Sequence, residues 1–243
     1  MIFLKLRLVR YLITISRFIY FRLINNFKFY NTNNKFVKKG TIERNYKSII
    51  SFRDCYSGER STFFLKNLNL IFNKKKIKNM KVLLVGPRNE GEIFNFMSNN
   101  FLSKNIDAID LVSYSKKIKV FDMHKIDLLK KNYDLIYFGF VLNYSKKIND
   151  VIINASKKLN KNGYVGISNE YDNIPLMNKT KKKIHLNRVK KSGYEFLVPL
   201  RKNHFLNKKI NKKFKIIFFK NYQEKLGIYF DKRKCMSLLL VKK

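Results

Sequence analysis

From residue 81 onward, short runs of apolar residues alternate with longer segments of helical pattern, and this alternation restricts the possible folds more than any other feature of the sequence. The first run, Val82–Val85, is apolar at every position, as expected of a parallel strand covered on both faces. Gly86 follows it directly and permits a tight turn into the next helix. Because strand and helix alternate in this way, the sequence predicts a parallel sheet with helices on both faces.

The remaining predicted elements define the sheet more closely. Further strands are predicted at residues 106–111, 120–121, 134–140 and 164–168, and helices at residues 91–101 and 145–159. Two more apolar segments, residues 214–219 and 236–241, are joined by a connection too short for a helical crossover, so they should pair antiparallel. We therefore predict a doubly wound, Rossmann-like α/β fold whose mostly parallel sheet ends in an antiparallel strand pair.

Residues 1–30 are rich in Ile, Leu, Phe and Tyr, but basic residues interrupt them too often for a transmembrane helix, which needs about 20 apolar residues in succession. On a helix, the polar residues fall along one side and leave a broad apolar face. They are Arg7, Arg10, Thr14, Arg17, Asn25 and Lys28. The pattern predicts a basic amphipathic helix over residues 1–30.

Two interpretations of this helix stay open. It either lies on a membrane surface, where its basic side meets anionic headgroups, or docks on the protein's own domain. The membrane surface is slightly favoured, which predicts a cytoplasmic protein with peripheral contact at the inner face of the membrane. A signal peptide is disfavoured because charge persists to Arg22 and no small-residue cleavage site follows.

The lead-in to the sheet is helical in pattern. Residues 41–80 favour helix, with a break at residues 55–60. Ser61 or Thr62 is suited to cap a helix over residues 63–72.

Two polar stretches are interpreted as linkers, residues 31–40 and the lysine-rich residues 74–78. The predicted organisation is an amphipathic helix at residues 1–30, a linker and helical lead-in at 31–79, and an α/β domain at 80–243.

The formal net charge of +37, from 53 Lys and Arg against 16 Asp and Glu, ordinarily favours a nucleic-acid or anionic-membrane partner. The chain is also crowded with Lys, Asn, Ile and Phe and holds no tryptophan, a bias that AT-rich codons produce whatever the function. Nucleic acid is therefore a possible but less favoured partner. Cys55 and Cys235 lie far apart and the histidines are scattered, which favours neither a metal site nor a disulfide framework and indicates a reducing compartment.

Acidic residues follow the predicted strands where a doubly wound fold binds its ligand. Asp110 ends the second strand, 24 residues after Gly86, where a carboxylate can accept hydrogen bonds from a ribose diol. Asp122 follows the third strand, where it can accept from an adenine amino group while Met123 covers the ring. A single surface aspartate is more often a loop residue or a cap, but three features at successive strand ends favour a cofactor site.

In order and spacing, these motifs resemble those of the class I S-adenosylmethionine-dependent methyltransferases, of the methyltransferase type 11-like kind. The matching segments are VLLVGPRNEGE (82–92), IDLVSYS (109–115), DMH (122–124), YDLIYFGFVLNYS (133–145) and LNKNGYV (159–165). The terminal strand pair resembles that family's last two strands, so the resemblance covers roughly residues 80–243. It implies a methyltransferase that takes S-adenosyl-L-methionine as its cofactor and transfers the methyl group to an unidentified acceptor.

The resemblance also implies cofactor-binding residues by position. Gly86, Pro87, Arg88, Glu90 and Gly91 would lie along the methionine part, Asp110 would bind the ribose hydroxyls, Asp122 and Met123 would hold the adenine, and Gly139 would face the cofactor close to the transferable methyl group. The family usually has an acid two positions before the first glycine, where this chain has Leu84, and Arg88 replaces a second glycine. Glu90 would compensate by contacting the ammonium group of the cofactor, and Arg88 by contacting its carboxylate.

The methyl acceptor is not specified by the sequence. Candidate general bases near strand ends are Glu170, Tyr171, Tyr144 and His124, and no catalytic residue is assigned. An insertion at residues 170–213 carries lysine-rich clusters at 179–183, 188–191 and 208–213, which suit a saccharide, a lipid-linked compound or another small anionic substrate. The alternatives are RNA methylation, a degenerate non-catalytic binding module and an NAD-dependent oxidoreductase, although the dinucleotide glycine pattern is absent.

Overall fold

The chain builds one large sheet, flanked by helices, and a small strand pair beside it. The structure is a computed structural model and describes residues 5–24, 27–30, 35–50, 60–170, 187, 200, 202–205, 207–225 and 232–243. The helices are α1 (Arg7–Leu23), α2 (Thr41–Ile50), α3 (Thr62–Ile71), α4 (Lys74–Asn79), α5 (Gly91–Ser98), α6 (Ile148–Lys157) and α7 (Lys208–Lys213). The strands are β1 (Lys28–Phe29), β2 (Val82–Val85), β3 (Ile106–Asp110), β4 (Val112–Ser113), β5 (Lys119–Val120), β6 (Tyr133–Gly139), β7 (Leu159–Glu170), β8 (Phe214–Lys225) and β9 (Lys232–Lys242).

The large sheet has the strand order β5-β3-β2-β6-β7-β9-β8. Strand β2 runs parallel to both neighbours, with Val82 opposite Ile106 on β3 and Leu135 on β6. Strand β9 runs antiparallel to β7 and β8. This order confirms the predicted doubly wound sheet with its terminal antiparallel pair. The chain continues from β2 to β3 on one side and places β6 on the other, so the carboxyl ends of these strands surround the usual ligand position of such a fold.

The core lies on both faces of the sheet, as the unbroken apolar run of β2 requires. Leu83 and Val85 pack in a cluster with Val151 and Ile152 of α6. Val82 and Leu84 pack in a second cluster on the opposite face. That second cluster includes Phe64, Leu65 and Leu68 of α3, Ile77 of α4, and Ile93 and Phe96 of α5. Alternate side chains of one strand therefore join two helical layers to the same sheet.

Most element boundaries fall close to their predicted positions. The first predicted strand is confirmed residue for residue, and the third and fourth are displaced by one position. The helix predicted over residues 91–101 ends at Ser98, because Asn100 adopts a left-handed conformation (φ 76°) and the amide of Phe101 donates to the carbonyl of Phe96 at 3.3 Å. An asparagine in this conformation ends a helix in the way that glycine does.

Two predictions for the lead-in are wrong. The lysines of residues 74–78 form helix α4 rather than a linker, because the Asn73 side chain caps it by accepting from the amide of Lys76 and Ile77 is fully buried. Ser61 precedes α3 but makes no capping hydrogen bond; its hydroxyl instead accepts from the side-chain Nδ2 of Asn95 on α5 at 2.9 Å. In both cases a contact with the rest of the domain, the burial of Ile77 or the pairing of Ser61 with Asn95, goes against the local sequence pattern.

Helix α1 is shorter than predicted and docks on the domain. It ends at Leu23, and Lys28–Phe29 form strand β1, which pairs antiparallel with β4. The ring of Phe18 meets that of Tyr114 edge-on, with centroids 5.5 Å apart. Arg10 and Thr14, from the predicted polar side, are buried. The polar side of the helix therefore faces the domain, and leucines of its apolar side, among them Leu12 and Leu23, are exposed.

The predicted linker at residues 31–40 is partly paired with the loop that follows β6. Val37 forms an antiparallel bridge with Ser145, and the amide of Lys38 donates to the carbonyl of Tyr144 at 3.0 Å. Residues 31–34 lie outside the described residues. So do Cys55 with most of the predicted break, Tyr171, and the basic clusters at 179–183 and 188–191.

Candidate functional site

The turn after β2 is shaped by Gly86. Its φ of 76° is a left-handed conformation, and its amide donates to the carbonyl of Ile109 at 2.8 Å. A Cβ at this position would lie 2.6 Å from the Cβ of Val141, which follows β6. Glycine is therefore required both by the backbone and by the close approach of the neighbouring loop. The turn is thus fixed between the carboxyl ends of β3 and β6.

Asp110 ties the end of β3 to the same turn. One carboxylate oxygen accepts from the amide of Leu111 at 2.6 Å, and the other accepts from the amide of Arg88 at 3.0 Å. The side chain is buried, and burial raises the pKa of the carboxyl, while the charge of Arg88 and the backbone hydrogen bonds oppose the rise. The predicted ribose-binding acid therefore lies beside the predicted glycine turn.

Arg88 crosses from this turn to the end of β6. Its own conformation is left-handed, with φ 59°, and its guanidinium donates to the hydroxyl of Tyr144 at 3.0 Å. Both side chains are buried. A non-glycine residue in this region of backbone space is uncommon and is usually held there by surrounding contacts. The arginine that replaces the second glycine of the motif thus connects the ends of β2 and β6.

Glu90 forms an ion pair with Arg17 of helix α1. Its carboxylate is fully buried and accepts from both the Nε and the Nη2 of Arg17 on α1, the Nη2 contact being 2.9 Å long. The hydroxyl of Ser115, which follows β4, donates to the same carboxylate. The hydrogen bond to Glu90 raises the pKa of Arg17. The partner that the sequence did not identify lies 73 residues away along the chain.

Glu92 is the residue of the site that sequence reasoning missed. It lies in the first turn of α5, is buried, and burial raises the pKa of its carboxyl to about 8, assisted by the charge of Asp110 and opposed by Arg60 and Arg88. Within the described part of the chain, its Oε1 accepts no hydrogen bond. A Cβ on Gly139 would lie 2.5 Å from this oxygen, so the glycine at the end of β6 makes room for the carboxylate.

A signal for Glu92 is present in the sequence. It stands four residues before Phe96, which is fully buried, and residues four apart share one face of a helix. A glutamate on the apolar face of a short helix is a candidate for a buried charge with a function.

Asp122 and His124 form a separate hydrogen-bonded group at the end of β5. The Asp122 carboxylate accepts from the backbone amide of His124 at 2.9 Å and lies 2.7 Å from its ring Nδ1. A carboxylate only accepts, so Nδ1 donates to it, and Nε2 is hydrogen-bonded to the hydroxyl of Ser145 at 2.8 Å. Met123 packs into the core on the α6 face. These contacts link the end of β5 to the turn after β6.

The structure thus brings together the residues that the sequence placed at four strand ends. Asp110 contacts Arg88, Arg88 contacts Tyr144, and the neighbouring Ser145 contacts His124. Glu170 lies at the end of β7, half-buried and opposite Cys235 on β9. A row of buried acids and one buried arginine lines the carboxyl edge of the sheet.

No protein-family model and no curated protein matches the sequence. Among solved structures, an S-adenosylmethionine-dependent methyltransferase from Mesorhizobium loti is similar in fold. The similarity covers 72% of this chain and 96% of that chain, with 13% identity and a TM-score of 0.50. A SAM-dependent methyltransferase from Methanosarcina mazei is similar over 68% of this chain and 93% of its own, with 14% identity and a TM-score of 0.50. The MccD protein is similar over 74% of this chain and 96% of its own, with 13% identity and the same score. The chain therefore has the fold of the class I S-adenosylmethionine-dependent methyltransferases.

Proposed function

We propose that the protein binds S-adenosyl-L-methionine and transfers its methyl group to an acceptor. The proposal rests on three residues that converge at one edge of the sheet. Asp110 ends β3, Gly139 ends β6, and Glu92 lies in the first turn of α5. A doubly wound sheet binds its ligand at this edge. A buried carboxylate with a raised pKa at such an edge is a candidate for a functional residue.

The residues present fit an adenosyl ligand with one change from the sequence prediction. Glu92, whose Oε1 accepts no hydrogen bond from the described residues, suits the ammonium group of the cofactor. Glu90 had been assigned that role, but Arg17 and Ser115 already donate to it. Glu92 would thus stand in for the acid that the family usually has at the position of Leu84.

The other predicted residues keep their proposed roles, except Arg88, whose guanidinium is bonded to Tyr144. Asp110 would accept from the ribose hydroxyls, and the turn from Gly86 to Gly91 would follow the methionine part. Asp122 and Met123 would hold the adenine. When bound, the cofactor supplies an activated methyl group on its sulfonium, and the chain contributes by aligning the acceptor with it.

The lysine-rich clusters of the sequence support an anionic acceptor. They lie at residues 179–183, 188–191 and 208–213, and a saccharide, lipid-linked or other small anionic substrate is our proposal. Retention of the purified protein on RNA at elevated salt, without labelling of saccharides or lipids, would assign the methyl acceptor to RNA instead.

A second candidate function is supported by Arg88. Its buried guanidinium donates to Tyr144 and its backbone amide donates to Asp110, and we infer that a ligand must displace Arg88 to reach Asp110. If that release does not occur, the protein is a degenerate methyltransferase-like module that no longer uses the cofactor.

Calorimetric titration with S-adenosylhomocysteine distinguishes a methyltransferase from a degenerate module. This compound shares the amino acid and adenosine parts of the cofactor. Near neutral pH we expect binding with release of about one proton, because the Glu92 carboxyl must ionise to pair with the ligand's ammonium group. The release is measured from the dependence of the binding enthalpy on the ionisation enthalpy of the buffer.

Two variants test the role of Glu92. Glu92→Gln should weaken binding about tenfold or more and abolish the proton release, since it removes a charge-assisted hydrogen bond. Glu43→Gln, an exposed glutamate paired with Lys47 on α2, is the matched control and should change neither quantity. Binding without proton release would reject Glu92 as the ammonium partner, and absence of any binding would favour the degenerate module.

A further inference from the structure

Helix α1 has two chemically different sides, and the domain covers only one of them. The covered side holds Arg10, Thr14, Phe18 and Phe21, all buried. Arg17, four residues before Phe21 and therefore on the same side, reaches Glu90. The side turned toward the domain therefore combines polar contacts with two aromatic rings.

The opposite side is an apolar stripe, defined here as Leu8, Leu12, Ile15, Ile19 and Leu23. These residues follow one another at steps of four, three, four and four, which places them along one line of the helix. The side chain of Leu12 is 54% exposed and that of Leu23 is 80% exposed. The stripe runs about 22 Å along the helix axis. Contiguous exposed apolar surface of this kind marks an interaction site.

The charge around the stripe is of one sign. Lys5, two residues before the helix, and Arg22, in its last turn, are both exposed. The first acidic residue in the sequence is Glu43, so no acid neighbours the stripe along the first 42 positions. Two copies packed stripe to stripe would bring like charges together, which costs free energy. An anionic bilayer satisfies both features, because its headgroups attract the basic residues and its acyl boundary accepts the leucines.

We propose that the apolar stripe of α1 binds the protein to the surface of an anionic membrane. The helix lies in the interface rather than across it: among the described residues, no helix has the length and apolar character needed to cross a membrane. The domain remains attached to the inner side of the helix through Phe18, Phe21 and Arg17. This inference is independent of methyl transfer.

Point substitutions in the full chain test it. Removal of α1 is unsuitable because Phe18 and Phe21 pack against Tyr114 in the domain. Leu12→Ser and Leu23→Ser change the stripe only. Leu70→Ser on α3 is the matched control, since Leu70 is 82% exposed and belongs to another helix.

Flotation is measured with vesicles of phosphatidylcholine alone and of phosphatidylcholine mixed with phosphatidylglycerol. We expect the wild type to float with the mixed vesicles and much less with the neutral ones. Each stripe substitution should lower the partition constant about tenfold, the effect of removing one leucine from an apolar environment. Leu70→Ser should float like the wild type, and far-UV circular dichroism checks that all three variants are folded.

Three results would overturn the proposal. One is a wild-type protein that does not float with anionic vesicles, and another is an equal loss for Leu70→Ser. The third is sedimentation that finds the wild type to be a dimer and Leu12→Ser or Leu23→Ser to be a monomer. The stripe would then contact a second copy of the chain.

Discussion

Replacing Glu92 by glutamine should change how the stability of the protein depends on pH. The carboxyl is buried and its pKa rises from 4.5 to about 8, chiefly through burial. The folded state therefore binds the Glu92 proton more tightly than the unfolded state does. The contribution of the Glu92 proton to the free energy of unfolding is fully present below the unfolded-state pKa. It is lost as the pH rises through the folded-state pKa.

The size of the effect follows from the two pKa values. Between them the free energy of unfolding falls by up to about 1.4 kcal/mol for each pH unit. From about pH 5 to about pH 7, the Glu92 carboxyl alone removes about 2.5 kcal/mol of stability from the wild type. Glutamine has nearly the same shape and does not titrate, so Glu92→Gln should not show this part of the loss.

Urea denaturation of both proteins across this pH range measures the difference. Asp110 also has a raised pKa, but it is present in both proteins, so the gap between the two curves reports mainly Glu92. Glu43→Gln controls for the loss of an exposed charge. Curves that stay parallel would refute the reasoning, because Glu92 would then ionise at its ordinary pKa in the folded protein.

Further substitutions test the neighbouring contacts. Arg17→Ala should lower the free energy of unfolding by about 3–5 kcal/mol, because it leaves the fully buried Glu90 without its arginine, and adding Glu90→Gln should restore part of the loss in urea denaturation. Gly166→Ala places a Cβ 2.4 Å from the Cζ of Phe64 and should cost about 1–3 kcal/mol in the same assay, whereas an unchanged midpoint would mean that the ring moves freely. Arg88→Ala should tighten S-adenosylhomocysteine binding about tenfold in calorimetry, since one buried hydrogen bond no longer has to be broken, and weaker binding would assign Arg88 to the ligand's carboxylate instead.

The sheet could be predicted from the sequence because its strands carry their own signal. Val82–Val85 is apolar throughout, and it is bounded by Lys81 and Gly86, so its limits are visible without knowledge of its neighbours. The antiparallel pairing of β8 with β9 follows from the shortness of their connection. Local pattern and chain length are sufficient for these elements.

The orientation of α1 could not be predicted, because periodicity separates two sides of a helix without saying what each side meets. The inward turn of the polar side depends on Arg17, whose acidic partner lies on a turn 73 residues away. The same limit applies to α4, where one buried residue, Ile77, outweighs four surrounding lysines. The lysine-rich pattern therefore predicts correctly that most residues of α4 are exposed. It does not predict that Ile77 is buried and holds the helix against the domain.

The site residues were predicted only where position alone was informative. Asp110 could be placed at this edge of the sheet because it ends a strand, whereas placing Glu92 required knowing that α5 turns its first residues toward Gly139. The pairing of Asp122 with His124 depends on the local turn that β5 leads into. Their binding roles remain predictions for the titration to test.

The distribution of acids in this chain is itself an argument for a ligand. Only 16 of 243 residues are acidic, yet Glu90, Glu92, Asp110 and Asp122 are all buried along one edge of the sheet. Burying a carboxylate is costly, and hydrophobic residues would stabilise a purely structural edge better. Arg17 offsets that cost for Glu90, and Arg88 offsets part of it for Asp110. Glu92 has the weakest compensation in the described structure, which is why a cationic group on a bound ligand is the partner that this edge of the sheet is best suited to receive.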